Sequence, residues 1–383
     1  MTTTSRVARG GWTLILFVVA VGAPGANAAI TATYSNNMET GVGGEWSNGH
    51  IDATPRDQRR FLGPFTTDKV WLRLDKLPKH KWVRISCELF VISTWDGNGN
   101  TTPKRSTHPI GPDAWRMGVE DGPTLVDATF SNNDFETAQA TAESRTQSYP
   151  SVLSGESYPA KTGAAERNTL GYQWVFDRVS RGVDSVYRLN FCIPNDRDAV
   201  GFWFAGGENL QPSDDECWGL KNVKVELLDD ADLKKLDNEQ MRRLWEAIGG
   251  RDVVAESDAF WALVTGGDDT ARFLREKVKH PAGLDRERFA QLLSKLDGDD
   301  FDAREQATEA IKGLGPGART MIREAIDHTD SAEVKLRLQT ALNGLAQVAP
   351  ADPQARRSAI ALRLLEAIGT PEARKVIDEL SGR

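Results

Sequence analysis

The sequence predicts a multidomain β plus α fold: an N-terminal antiparallel β-sandwich or jelly roll over residues 29–228, then C-terminal α-helical repeats over residues 229–383. Three observations predict it. Short runs of alternating apolar and polar residues, set apart by Gly, Pro, Asn and Asp, fill the first part. Beyond residue 236 the apolar side chains recur at spacings of three and four instead. Within that second part an Ala-Arg pattern returns three times. A chain of 383 residues with 39% hydrophobic and 27% charged residues suits a soluble protein of two or three domains, so this change of period marks a boundary.

Ahead of both parts, Arg6 and Arg9 precede an apolar run over residues 12–21, and Ala26-Asn27-Ala28 puts small residues at both ends of a cleavage pattern. That order marks residues 1–28 as a secretory signal peptide, with the mature chain expected to begin at Ala29 and to be secreted or periplasmic. The run is shorter than the ~20 residues of a membrane-spanning helix, which argues against the alternative of an uncleaved anchor. No second apolar span follows, so no stable membrane span is expected in the mature chain.

In the β part, residues 70–74 form one candidate strand. In the next, Val83, Ile85, Cys87, Leu89 and Val91 face one way and Arg84, Ser86 and Glu88 the other. Phe90 and Ile92 break that alternation, which predicts a strand covered on both faces. Residues 115–119, 173–176, 185–191 and 199–204 continue the series, and residues 221–228 close it before the polar stretch 229–232. Many short strands without amphipathic helices between them argue for two packed antiparallel sheets. Eight of the eleven tryptophans lie here, and each is read first as a core or edge residue because a buried indole contributes a large apolar area.

In the helical part, Met241, Leu244, Trp245 and Ile248 share one face, and Gly249-Gly250 ends that helix. Ser257 is expected to cap a helix over 258–264 with Phe260, Trp261 and Val264 inward. Further stripes are Phe289, Leu292, Leu293 and Leu296; Ala307, Ala310, Ile311 and Leu314; and Leu336, Leu338, Leu342 and Leu345. Thr370-Pro371-Glu372 forms a helix start, since Pro loses nothing at the first helical position. Ala271-Arg272, Ala318-Arg319 and Ala373-Arg374 each precede apolar residues and a charged tail, at a first spacing near the ~40–47 residues of helix-pair solenoids. About three degenerate pairs are expected, with a closed bundle as the alternative.

Two resemblances rest on these residues. The patterns at 95–99, 115–117, 121–132, 148–150 and 214–223 resemble a secreted β-domain of planctomycetes and other environmental bacteria. In that pattern Ser stands where Cys217 stands here and Asp where Lys221 stands, which implies that Cys217 is dispensable to the fold and that one carboxylate for a cation is missing. Residues 299–308 and 368–374 are similar to HEAT-like repeat regions of planctomycete proteins. Neither resemblance implies a known reaction.

Candidate chemistry gathers around two tryptophan-containing loops. Asp96, Asn98, Asp113, Asp214 and Asp215, with Glu216 beside them, supply oxygen donors of the kind calcium takes, and Gly97 and Gly99 permit a tight turn. Structural calcium is the candidate ion here, although no cofactor is required. The segment lacks the twelve-residue spacing of a helix-loop-helix calcium site, so an ordinary Gly/Asn turn is the competing reading. Trp95, Trp115 and Trp218 are the ligand-binding candidates. Cys192 and Cys217 are the favoured disulfide, leaving Cys87 buried, with three free thiols as the alternative.

Other classes find no support. Three cysteines cannot make a four-cysteine zinc site, and a net charge of −8 without a long basic block gives no expectation of nucleic-acid binding. Glu88, Glu120 and Asp121 carry no paired-acid signature of a glycosidase, the five histidines assemble no metalloprotease motif, and Gly41-Val42-Gly43-Gly44 lacks the context of a phosphate loop. The expectation is a protein-binding scaffold outside the cell or in its envelope, with no catalytic residues and not an enzyme. The alternative is a carbohydrate-binding accessory protein, the partner being an extracellular protein or a cell-surface glycan.

Overall fold

A computed structural model describes residues 32–99, 111–136, 141–153, 155–212, 214–278, 286–298, 300–312, 314, 318–344 and 353–380. The expected signal peptide lies outside the described residues. The chain is a mixture of antiparallel sheets and helices, as the two sequence periods require.

The long strand β5 (Trp82–Ser93) is the centre of the larger sheet. It pairs with β13 (Asp184–Pro194) on one side and β15 (Glu216–Leu228) on the other. Beyond β13 lies β10 (Glu166–Arg167); beyond β15 come β3 (Arg60–Phe65) and β2 (Ile51–Ala53), while β1 (Ala32–Asn36) also pairs with β15. A second sheet has the order β4 (Lys69–Asp75), β14 (Ala199–Gly206), β6 (Ala114–Val119), β7 (Thr124–Thr129). Two small ribbons, β8 (Thr146–Gln147) with β9 (Tyr158–Pro159) and β11 (Gln173–Phe176) with β12 (Val179–Gly182), complete the strands among the described residues.

Alternation carries the packing. Val83, Ile85, Cys87, Leu89 and Val91 of β5 join Trp218 of β15 and Val70, Leu72, Trp115, Met117, Phe202 and Phe204 of the second sheet in one buried cluster. The other face of β5 is covered too, as Phe90 and Ile92 predict: both pack with Phe61, Leu170, Val186 and Cys217.

The disulfide expectation is corrected. Cys87, Cys192 and Cys217 are all free and buried. Cys192 stands opposite Arg84 and Cys217 opposite Ile92 on β5, so roughly 26 Å of strand separates their levels, far beyond the reach of a disulfide.

The last strand ends at Leu228, and α1 (Asn238–Ala247) begins after the cap residue Asp237, which accepts from the backbone N–H groups of Glu239 and Gln240 while Gln240 answers to its own N–H. Gly249, in the left-handed region at φ 79°, lets the chain turn away. The next helix, α2 (Val253–Val264), is capped five residues before the expected Ser257. Asp252 accepts from the N–H groups of Val254 and Ala255, and with no Gly or Pro in the interval the helix extends back to that earlier cap. Thr370 caps α9 (Pro371–Leu380) as expected, its hydroxyl accepting from Ala373 N at 3.2 Å.

Serial stacking of helix pairs is also corrected. α1, α2 and α3 (Gly267–Lys277) share a core with α8 (Pro353–Ile368) and α9. The intervening α4 (Arg286–Leu296), α5 (Phe301–Lys312), α6 (Arg319–His328) and α7 (Ala332–Gly344) form a core of their own. The last pair thus packs on the first, whereas a solenoid repeat contacts only its sequence neighbours. Ala271, Ala318 and Ala373 are all buried, so what recurs in the Ala-Arg pattern is a small residue at a close contact. Leu336 leaves its expected stripe and is exposed, while Leu338 is buried; Leu345 lies outside the described residues.

Residues 31–383 form one compact unit in which helices touch the larger sheet. Trp261 of α2 meets Phe191 of β13 edge to face at 4.7 Å between ring centres. Arg356 of α8 forks between Glu156, in the loop before β9, and Glu256 of α2.

Candidate functional site

Asp96 lies just beyond β5, Asp113 just before β6, and Glu216 opens β15. Alternation puts Asp113 on the same side as Trp115, and Glu216 on the same side as Trp218; the two rings meet edge to face at 5.9 Å. Both carboxylates are thereby drawn to the end of the core that the two sheets share. Ligand atoms of Asp96, Asp113 and Glu216 lie within 4.8 Å of one another, with Asp113 and Glu216 fully buried and Asp96 partly exposed.

The groups that act on the three carboxylates are neighbouring acids and hydrogen-bond donors. The backbone N–H of Asp96 donates to Asp113 Oδ2, and Asn133 Nδ2 donates to Asp96 Oδ1. Gln211 N donates to Glu216 Oε2 at 2.7 Å. Two buried oxygens, Asp113 Oδ1 and Asn133 Oδ1, have no partner. Burial pushes the Asp96 carboxyl up to about 7, with the Asp215 charge adding to the rise. Burial first, and the charge of a neighbouring acid next, raise Asp113 and Glu216 as well.

Of the expected oxygen donors, Asp96 and Asp113 meet, and Glu216 completes the group. Asn98 does not join: its Oδ1 accepts from Thr129 Oγ1 and its Nδ2 donates to Thr146 Oγ1 and Ser157 Oγ, tying loops together. Asp215 is close enough to raise its neighbours but accepts from Thr94 Oγ1, and Asp214 is exposed. Asn133 is the member that sequence reasoning missed. Its signal is the polar run Ser131-Asn132-Asn133 directly after the strand that ends near Phe130, every residue of it buried.

Gly97 holds this corner. Its φ is +60°, and a Cβ there would stand 1.9 Å from Thr146 O. Gly97→Ala is expected to cost about 1–3 kcal/mol or more in urea unfolding, through backbone strain and the clash. Gly44→Ala, where a Cβ meets nothing within 4 Å, is the control and should leave stability nearly unchanged.

The ligand-stacking expectation for Trp95, Trp115 and Trp218 is corrected by their burial: none has any exposed surface. Trp95 Nε1 donates to Cys217 O at 3.0 Å and Trp218 Nε1 to Thr66 O at 2.7 Å, as core indoles do.

A different pair of indoles reaches solvent. Trp71 of β4 and Trp203 of β14 are register partners, half-buried, on the face opposite the buried Val70, Leu72, Phe202 and Phe204. Trp203 also stands opposite Gly118 of β6, where a Cβ would come within 2.5 Å of its ring, so the indole lies against bare backbone. Lys69 Nζ sits 4.6 Å from the Trp71 ring and 4.8 Å from that of Trp203; the Arg73 guanidinium is 5.1 Å from Trp71. Arg73 pairs with Glu120, and Arg116 with Asp127 at 3.1 Å, framing the rings with charge. The sequence signal was available: in residues 70–74 and 202–204 alternation sets each tryptophan on the side opposite its apolar neighbours.

No family model matches the chain, and no curated protein matches it. Among solved structures, the crystal structure of the "Agl-KA catalytic domain" is similar at 12% identity, covering 62% of this chain and 36% of its own, with a TM-score of 0.24. The chain therefore spans about a third of that neighbour. The expectation that this protein is not an enzyme is withdrawn: the neighbour is named as a catalytic domain, and a TM-score of 0.24 gives this chain neither a reaction nor the absence of one.

Proposed function

We propose that this protein binds carbohydrate on the outer face of its second sheet, as a secreted or periplasmic protein. Two sheets sharing one core support the sandwich reading of the β part, and the local contacts of α4 with α5 and α6 with α7 support HEAT-like pairs inside the helical part. The single observation that carries the functional reading is the Trp71–Trp203 pair laid beside Gly118. A flat aromatic surface suits the apolar C–H face of a sugar ring, and the fringe of Lys69, Arg73, Arg116, Glu120 and Asp127 offers donors and acceptors to its hydroxyls.

A glycan array probed with the mature chain tests it. Trp71→Ala and Trp203→Ala should each weaken binding roughly tenfold or more, as loss of an aromatic anchor does. Both indoles are partly buried, so each variant should also lower the melting temperature, and binding is compared at a temperature where both variants are folded. Lys69→Ala, which removes one fringe donor and spares both rings, should weaken binding less than either tryptophan variant. Sugar binding that survives the double tryptophan variant would sink the reading.

A protein-binding scaffold is the second reading, favoured by the β11–β12 hairpin. Asp177 and Arg178, both at positive φ, make its two-residue turn. Phe176 packs on Phe135, but Trp174, Val175 and Val179 stay exposed at 37%, 65% and 49%. Cross-linking in secreted material that is lost in Trp174→Ser, with glycan binding unchanged, would favour it.

A further inference from the structure

We infer that Asp96, Asp113 and Glu216 form a calcium site that fastens the two sheets to each other. The three carboxylates come from separate stretches of chain, two bordering strands of the larger sheet and one bordering the second sheet, yet their ligand atoms lie within 4.8 Å. Acidic residues alone would not identify a cation site. The independent observation is the pair of oxygens that lack any donor in a buried place: Asp113 Oδ1, on a side chain with 0% exposure, and Asn133 Oδ1, on one with 4% exposure. An unpartnered buried oxygen costs free energy, and a cation among the three carboxylates removes that cost at Asp113 Oδ1. Asn133 is held to the group by its own amide, which donates to Asp96.

The donor set names the ion. Every candidate donor is oxygen, with no imidazole or thiolate in the group, which suits calcium or magnesium and not zinc or copper. Magnesium demands compact octahedral geometry, whereas calcium accepts irregular shells of six to eight oxygens, including carboxylates, an amide and water. The partly exposed Asp96 gives the ion a way in. Because the ligands are brought together only by folding, the bound ion stabilises the native state by mass action.

The competing account is that protons alone neutralise the three acids. Full-length mature protein, stripped with chelator and titrated with calcium alone by calorimetry, separates the two. One calcium per chain and a rise in the unfolding midpoint are expected, with a much smaller rise in magnesium at matched ionic strength. Glu216→Gln keeps the shape and copies the protonated state, so this variant should fold, should be at least as stable as the stripped wild type, and should lose calcium affinity by roughly 100-fold or more. Asp214→Ala, which alters an exposed acid outside the group, should respond like the wild type. Absence of calcium binding in the wild type, an equal response to magnesium, or an undiminished response in Glu216→Gln would overturn the assignment. Sugar binding enters none of these readouts, so failure here leaves the glycan reading untouched.

Discussion

Arg356→Met is expected to destabilise the protein by about 3–5 kcal/mol, the range for removing one partner of a buried ion pair. Arg356 is held between Glu156, whose side chain is 6% exposed, and Glu256, at 1%. Nη2 meets Glu156 Oε2 at 2.9 Å, and the fork reaches both oxygens of each acid. Methionine fills much of the volume but leaves two buried carboxylates facing each other without a cation. Equilibrium unfolding in urea measures the loss, and adding Glu156→Gln and Glu256→Gln to Arg356→Met should recover most of it. Recovery failing in the triple variant would point to lost packing of the side-chain stem instead.

The same network sets an acid limit. Burial alone would raise the Glu156 carboxyl, but hydrogen bonds from Arg356, Ser151 and Tyr158 outweigh it and hold it below its usual value of 4.5. The unfolded chain therefore binds the proton more readily than the folded one. This contribution to stability is fully present above about pH 4.5 and disappears as pH falls through the lower folded value. Urea midpoints of the wild type should drop over that acid range, and those of Glu156→Gln should drop less.

Trp115→Ala is the second large effect, expected at about 3–5 kcal/mol for a buried aromatic truncated to alanine. The ring touches Phe130, Phe204 and Trp218 and so lies where both sheets contribute to one core. Its Nε1 is buried without a partner, whereas Trp218 Nε1 donates to Thr66 O. Trp115→Phe should therefore cost less than Trp218→Phe, which loses a hydrogen bond of about 1 kcal/mol to the partly buried Thr66 carbonyl. Denaturant unfolding of both variants decides the order; the reverse ranking would mean that the Trp115 indole N–H is satisfied in solution.

Local patterns were legible wherever a residue acts through its own strand or helix. The alternation of β5, its break at Phe90 and Ile92, and the Thr370-Pro371 helix start all follow from neighbours in sequence. Relations across the chain were not. Asp96, Asp113 and Glu216 were each visible as oxygen donors, but nothing local told that they converge while Asp214 and Asn98 turn elsewhere. Trp95, Trp115 and Trp218 have the same composition around them whether a loop or a core receives the ring, and only the second sheet decides for burial. Cys192 and Cys217 flank late strands in sequence, yet both strands pair with β5 at distant levels. Helix periods, likewise, say which face is apolar but not which distant helix will cover it.

The return of α8 and α9 onto α1–α3 bears on how the chain matures during synthesis. The first three helices emerge early but find their covering surface only in the last thirty or so residues, after four helices with a core of their own have intervened. Helix-by-helix zipping from the β part outward is closed to such a topology, because the loop must be crossed before its contacts reward it. A nascent chain stopped anywhere between α3 and α8 would display the apolar sides of Phe260, Leu263 and Leu274 to its surroundings, so closure of this core waits on α8 and α9.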